Sequence, residues 1–154
     1  RADPHAVKRQ ALLRVVPDRG QTGGAVFEAP VTYAVGEGRM DLTGWIEQGL
    51  DAYSGGVKYE QTVELDRVPP GPLWLDLGTV RGTAEVRVND RPAGVCIWSP
   101  YRLEISGLLQ PGANRISVTV FNTLAPYLNA VSPTHYIYGD QVVSGLFGPV
   151  RILK

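Results

Sequence analysis

Cysteine is nearly absent from this 154-residue chain: Cys96 stands alone, so an internal disulfide and a cysteine-rich metal site are both excluded. It lies in an alternating apolar stretch with no histidine near it in sequence, which reads as a small core residue rather than a nucleophile. Excess charge is absent too. Lysine plus arginine and aspartate plus glutamate number 15 each, so no net field recruits nucleic acid or an anionic membrane. No apolar run approaches the roughly 20 residues that a membrane helix needs, and no charged start followed by an apolar stretch marks a signal peptide. The chain starts with Arg1 and its one methionine is Met40, from which a piece of a longer polypeptide is expected. Several catalytic signatures are missing: a glycine-rich phosphate loop before a helix, HExxH and GxSxG. The length allows one domain with a real core, not a sandwich plus a catalytic barrel.

What is plentiful is turn chemistry. Eighteen glycines and 12 prolines suit a chain that reverses often. Between Leu73 and Phe121 the pattern is almost continuous strand. Leu73, Leu75 and Leu77 alternate with Trp74 and Asp76; Ala84, Val86 and Val88 alternate with Glu85 and Arg87. Asn89 and Asp90 tolerate the positive φ of a tight hairpin, and Pro92 places the return strand, through Val95 and Ile97, at a free edge or a bulge. Tyr101, Leu103 and Ile105 alternate with Arg102 and Glu104, Pro111-Gly112 turns the chain, and Ile116, Val118 and Val120 form another inward face.

Elsewhere the signal is thinner. Residues 1–24 read as the tail of a preceding domain, an edge strand or a linker, and Ala25 to Val35 as the first strand of the domain proper. Leu42, Trp45, Ile46 and Leu50 recur at helical spacing, predicting a helix over Asp41 to Leu50 with Gly49 as its stop and Trp45 as a core or lid residue rather than a ligand platform. Val57, Tyr59, Val63 and Leu65 alternate with charged and polar residues as a half-buried strand. From Asn122 to Ser144 the pattern breaks, which predicts a long loop rich in ring and hydrogen-bonding groups; Val150 and Ile152 close the domain as a last strand.

The pieces Leu75-Asp76-Leu77-Gly78, Ala84-Glu85-Val86, Val88-Asn89, Gly94, Pro100-Tyr101-Arg102, Glu104-Ile105, Leu108-Leu109, Pro111-Gly112, Asn114, Val118, Val120 and Asn122 carry a resemblance. Ser54-Gly55-Gly56-Val57 upstream and Ser144-Gly145-Leu146, Gly148-Pro149-Val150 downstream extend it to roughly residues 53 to 153. The series resembles the sugar-binding β-sandwich domain of glycoside hydrolase family 2, and equally the related C-terminal sandwich of α-L-rhamnosidase-type hydrolases. The resemblance implies an all-β, jelly-roll-like sandwich of about eight strands with galactose-binding-like topology, over residues 25–154. It implies a non-catalytic carbohydrate-binding or accessory module, whose partners are carbohydrate and the catalytic domain of the same parent chain; a structural module that only braces its neighbour is the alternative. A bacterial parent, secreted or periplasmic, is suggested without being decided.

Sugar recognition needs an aromatic face for the apolar side of the ring and amide, carboxylate or guanidinium groups for its hydroxyls. Three places offer both: Asp51 and Tyr53; Trp98, Tyr101 and Arg102; and Asn122, Tyr127, Asn129, Tyr136 and Tyr138. In family 2 β-galactosidases the loop matching the first place reaches into the neighbouring active site, so Asp51 and Tyr53 inherit that role by resemblance only. The turn at Trp98 lacks the family's usual Gly- and His-containing pattern. Some of these residues also have a purely structural reading: Tyr101 as core, Trp98 as cover over a sheet edge, Tyr136 and Tyr138 as one face of a short strand, and His135 as a lone histidine without acid-base work. A glycosidase would need two carboxylates facing across a cleft, roughly 5 Å apart or 6.5 to 9.5 Å apart, and the glutamates sit at outward strand positions with no pairing suggested. No cofactor is expected. Sandwiches of the resembling type can hold structural Ca²⁺, but Asp41, Asp51, Asp90 and Asp140 show no regular ligand spacing.

Overall fold

A computed structural model describes residues 38–131 and 138–154. The tail expected over 1–24, the strand expected over 25–35, and His135 and Tyr136 lie outside the described residues. The unit that begins at Arg39 is built almost wholly of antiparallel strands.

Nine strands occur among the described residues: β1 (Gly56–Leu65), β2 (Trp74–Asp76), β3 (Thr79–Arg81), β4 (Thr83–Val88), β5 (Arg91–Cys96), β6 (Arg102–Glu104), β7 (Gly112–Phe121), β8 (Gly145–Gly148) and β9 (Arg151–Leu153). They form a four-stranded sheet in the order β1-β7-β4-β5, a three-stranded sheet in the order β6-β2-β9, and the pair β3-β8. The short sheets join through a bridge between Gly78 and Gly148. Gly78 has φ +65, and a Cβ there would collide with the Gly148 carbonyl, so only glycine allows the two backbones to meet.

Alternation sets the layers. Val57, Val120, Ala84 and Cys96 form one inward row of the large sheet by register, and Tyr59, Val118 and Val86 the next. They pack with Leu73, Leu75, Leu77, Val80, Ile105 and Leu146 into a single core, in which each fully buried aliphatic side chain contributes about 1.5–3 kcal/mol relative to exposure. The fold is an all-β sandwich, as the alternation and the resemblance implied.

Local chemistry accounts for the reversals. Asn89 (φ 50) and Asp90 (φ 63) make the β4–β5 hairpin turn, and Asn89 is held by its Nδ2 donating to Leu108 O and Asn114 Oδ1. The register of β4 against β5 shifts between Val86 and Arg87, opposite Pro92, and β5 ends the four-stranded sheet, so Pro92 has both the edge and the irregularity that its missing amide calls for. Asn114, fully buried, accepts from Gln110 N and donates to Gln110 O and Gly112 O, satisfying the turn that feeds β7.

Two expectations are corrected. The helix over Asp41 to Leu50 contracts to a 3₁₀ turn, Ile46–Gln48, stopped as expected by a left-handed Gly49. Its apolar spacing does not define a buried face: Trp45 is 1% exposed, but Leu42 and Ile46 lie open, and Gly44 bridges to Gly145 instead of continuing a helix. The segment Asn122 to Ser144 is not simply a loop, because α1 (Ala125–Val131) and a 3₁₀ turn at Gly139–Gln141 occupy part of it. Gly145–Gly148, unassigned from the sequence, is a strand because its partner β3 supplies the ladder.

Candidate functional site

Strand register decides where the candidate residues meet. Gly56 pairs with Phe121, Phe121 with Thr83, and Ala84 with Cys96. The start of β1, the end of β7, the start of β4 and the end of β5 therefore lie at one end of the large sheet. Three groups of candidates belong to the segments that leave there: Asp51 and Tyr53 before β1, Trp98 and Tyr101 after β5, and Asn122, Tyr127 and Asn129 after β7. The Asn89–Asp90 hairpin and the Gly112 turn occupy the opposite end.

Asn122 organises this end. Its Oδ1 accepts from Gly55 N at 2.8 Å while its own N–H donates to Gly55 O at 3.1 Å. Its Nδ2 donates to Tyr53 O (2.8 Å) and to Ser144 Oγ (3.1 Å). Ser54 Oγ accepts from Tyr127 N (3.2 Å), so the segment before β1 is tied to the chain after β7 by its neighbours as well. Tyr53 donates to Gly56 O (2.9 Å) and sets its ring edge-on to Trp45, with centroids 5.8 Å apart. Trp45 in turn donates to Tyr59 Oη at 2.7 Å.

Tyr101 is half-buried and donates to Gly82 O at 2.7 Å. Burial, then the nearby Cys96, push its hydroxyl above the usual tyrosine range, with Arg81 opposing. Burial likewise raises the Cys96 thiol, which sits in the core as expected of a small apolar residue. Trp98 (71% exposed) and Tyr138 (75% exposed) present open rings to solvent. Asp51 and Asn129 are exposed, and Tyr127 is half-buried.

Arg102 belongs to a different surface, the outer face of β6-β2-β9. There its guanidinium pairs with Asp76 at 2.6 Å, and that contact, then the Gly78 amide, holds the Asp76 carboxyl below its ordinary range. Trp74 is a neighbour on that face. The sequence pattern set it outward without marking it as a site residue, because nothing local says which strands flank it.

Several carboxylates among the described residues are turned to partners. Glu60 faces Lys58 (2.6 Å) and accepts from Ser117 Oγ, which lowers its carboxyl in that order. Asp90 pairs with Arg115, Glu104 accepts from Ser106 Oγ and Glu47 from Thr43 Oγ1. Glu60 and Glu85 lie on the outer face of the large sheet, Asp76 and Glu104 on that of the three-stranded sheet, with the core between. Among the described residues no three His, Cys, Asp or Glu gather closely enough to hold a metal ion.

No family model matches the chain. A rhamnosidase from Novosphingobium sp. PP1Y is similar over 68% of the chain at 30% identity and a TM-score of 0.57, yet the match spans 11% of that protein. An FMN-binding beta-glucuronidase from Faecalibacterium prausnitzii L2-6 shares the fold at 19% identity (TM-score 0.51), the match covering 71% of this chain and 18% of that one. In sequence, 78 residues, 49% of the chain, are 32% identical to 7% of a Formosa agariphila protein named "Putative beta-glucuronidase". The fold and these likenesses are shared with β-sandwich portions of glycoside hydrolase chains. More particularly, the chain is similar to the sandwich portions of rhamnosidase and β-glucuronidase chains, and it spans less than a fifth of each of these proteins.

Proposed function

We propose that this chain is a non-catalytic accessory domain of a larger glycoside hydrolase, contacting carbohydrate at the end of the large sheet where Trp98 stands open. One observation carries the reading: 68% of the chain matches only 11% of a rhamnosidase at 30% identity, the relation of a module to a multidomain enzyme. The placement of the carboxylates supports it, since Glu60, Asp76 and Asp90 each face a cation on an outer surface or turn. Within this reading Asn122 and Tyr101 are frame residues whose hydrogen bonds shape the loops, and Trp98 is the ring left for a sugar.

Isothermal titration of the 154-residue chain against monosaccharides, including galactose and rhamnose, and against plant and bacterial polysaccharide fragments tests the proposal. Millimolar or tighter binding that Trp98→Ala weakens supports it.

A second reading has its own observation. Leu124, just before α1, and Leu128 and Val131 within it are all exposed at helical spacing, an apolar stripe of the kind that packs against another domain. A folded chain silent across the whole panel favours this bracing role over sugar binding.

A further inference from the structure

We propose that the outer face of β6-β2-β9 is a second carbohydrate contact, a flat platform centred on Trp74 that takes a pyranose unit of a polysaccharide. The proposal rests on the sugar-contacting reading above and names a surface that reading does not use.

Two rows of side chains make the platform. Leu75 is 1% exposed in the core, so Trp74 and Asp76 on either side of it point outward. Register sets Glu104 and Leu153 opposite Trp74, and Arg102 and Arg151 opposite Asp76. The rows are two residues apart along each strand, about 6.7 Å, which is of the order of one pyranose ring. Trp74 is 37% exposed at the middle of its row. The outer face of the other sheet carries Lys58, Thr119, Glu85, Glu60 and Arg87 with Val95 and Phe121 open beside them, and no indole. What distinguishes Trp74 is the indole itself, a large stacking surface set between polar groups of the flanking strands.

The polar groups around the indole have hydrogen-bonding capacity left. Arg102 is oriented by its contact with Asp76, so its remaining N–H donors are held in place before any ligand arrives. Arg151 flanks Asp76 from the other strand and its charge adds to that of Arg102 on the Asp76 carboxyl. Glu104 accepts one bond, from Ser106 Oγ, and has further lone pairs. An apolar ring face bordered by guanidinium forks and a carboxylate matches a pyranose, whose C–H side stacks on indole while its hydroxyls reach the rim. Arg151 can serve either vicinal hydroxyls or the carboxylate of a uronic acid.

Affinity electrophoresis and titration of the 154-residue chain against neutral polysaccharides and uronate-containing ones test the platform. Trp74→Ala is expected to weaken binding by about tenfold or more, with the far-ultraviolet spectrum unchanged. Arg151→Gln avoids the core altogether and is expected to weaken binding as well, more strongly for the uronate-containing ligands if a carboxylate is bound there. Should Trp74→Ala fold poorly, Trp74→Phe and Arg151→Gln decide. Binding that Trp98→Ala removes while Trp74 and Arg151 variants retain it overturns the platform and leaves the sugar-contacting reading intact. Silence of the unaltered chain across both polysaccharide classes overturns both.

Discussion

Asn122 and Gly55 exchange hydrogen bonds in both directions, the asparagine side chain accepting from the Gly55 amide and the asparagine amide donating to the Gly55 carbonyl. The pair continues the β1–β7 ladder one step past Gly56 and Phe121, with a side chain replacing backbone on one side.

Asn122→Ala removes that side-chain acceptor and the donor to Tyr53 and Ser144 together. Leaving such partly buried groups unsatisfied costs about 1–3 kcal/mol, which for a chain of this size lowers the melting temperature by roughly 2–4 °C per kcal/mol. A thermal melt checks this. A melting temperature within a degree of the original contradicts the framing role assigned to Asn122.

Trp45→Phe keeps an aromatic ring in the core but strips Tyr59 of its donor and leaves part of the indole volume empty. The expected loss is about 2–4 kcal/mol by urea unfolding, with an unchanged dependence on denaturant. Adding Tyr59→Phe recovers part of it, because the unpartnered hydroxyl disappears. Additive losses in the double variant would mean that the Trp45–Tyr59 hydrogen bond carries little energy.

Asp76 gives the pH dependence. Its carboxyl is held below the ordinary value by Arg102 and the Gly78 amide. The folded state therefore favours the ionised form, and the contribution is complete above the unfolded pKa and lost as pH falls through the lower folded one. The pair is partly exposed, so about 0.2–1 kcal/mol is at stake. Melting temperatures measured downward from pH 6 should fall less steeply in Asp76→Asn than in the unaltered chain. Parallel curves would show that the Arg102 contact contributes nothing to folding.

Much of the architecture was legible in single residues. Alternation about Leu75, Val86 and Val118 identified inward faces, Asn89-Asp90 identified a hairpin, and Pro92 identified an edge, because each of these acts within a few residues of itself. The segment around Trp45 misled: its apolar spacing matches a helix, yet what buries the indole is a bridge to Gly145 and a hydrogen bond to Tyr59, both distant in sequence. For the same reason the strand Gly145–Gly148 was not visible, since its glycines carry no pattern and its ladder comes from β3.

The candidate site divides along the same line. Composition and pattern by themselves determined that this is a β-rich chain with no net field, one buried thiol and rings concentrated in a few turns. Only the tertiary structure decided that Asp51, Trp98 and Asn122 leave the same end of one sheet, that Asn122 and Tyr101 direct hydrogen bonds inward, and that Trp74 shares a face with Arg102 and Arg151. The physical reason is register: a strand's own sequence fixes which side chains face out, but their neighbours are chosen by hydrogen-bonded pairing with strands far away in the chain.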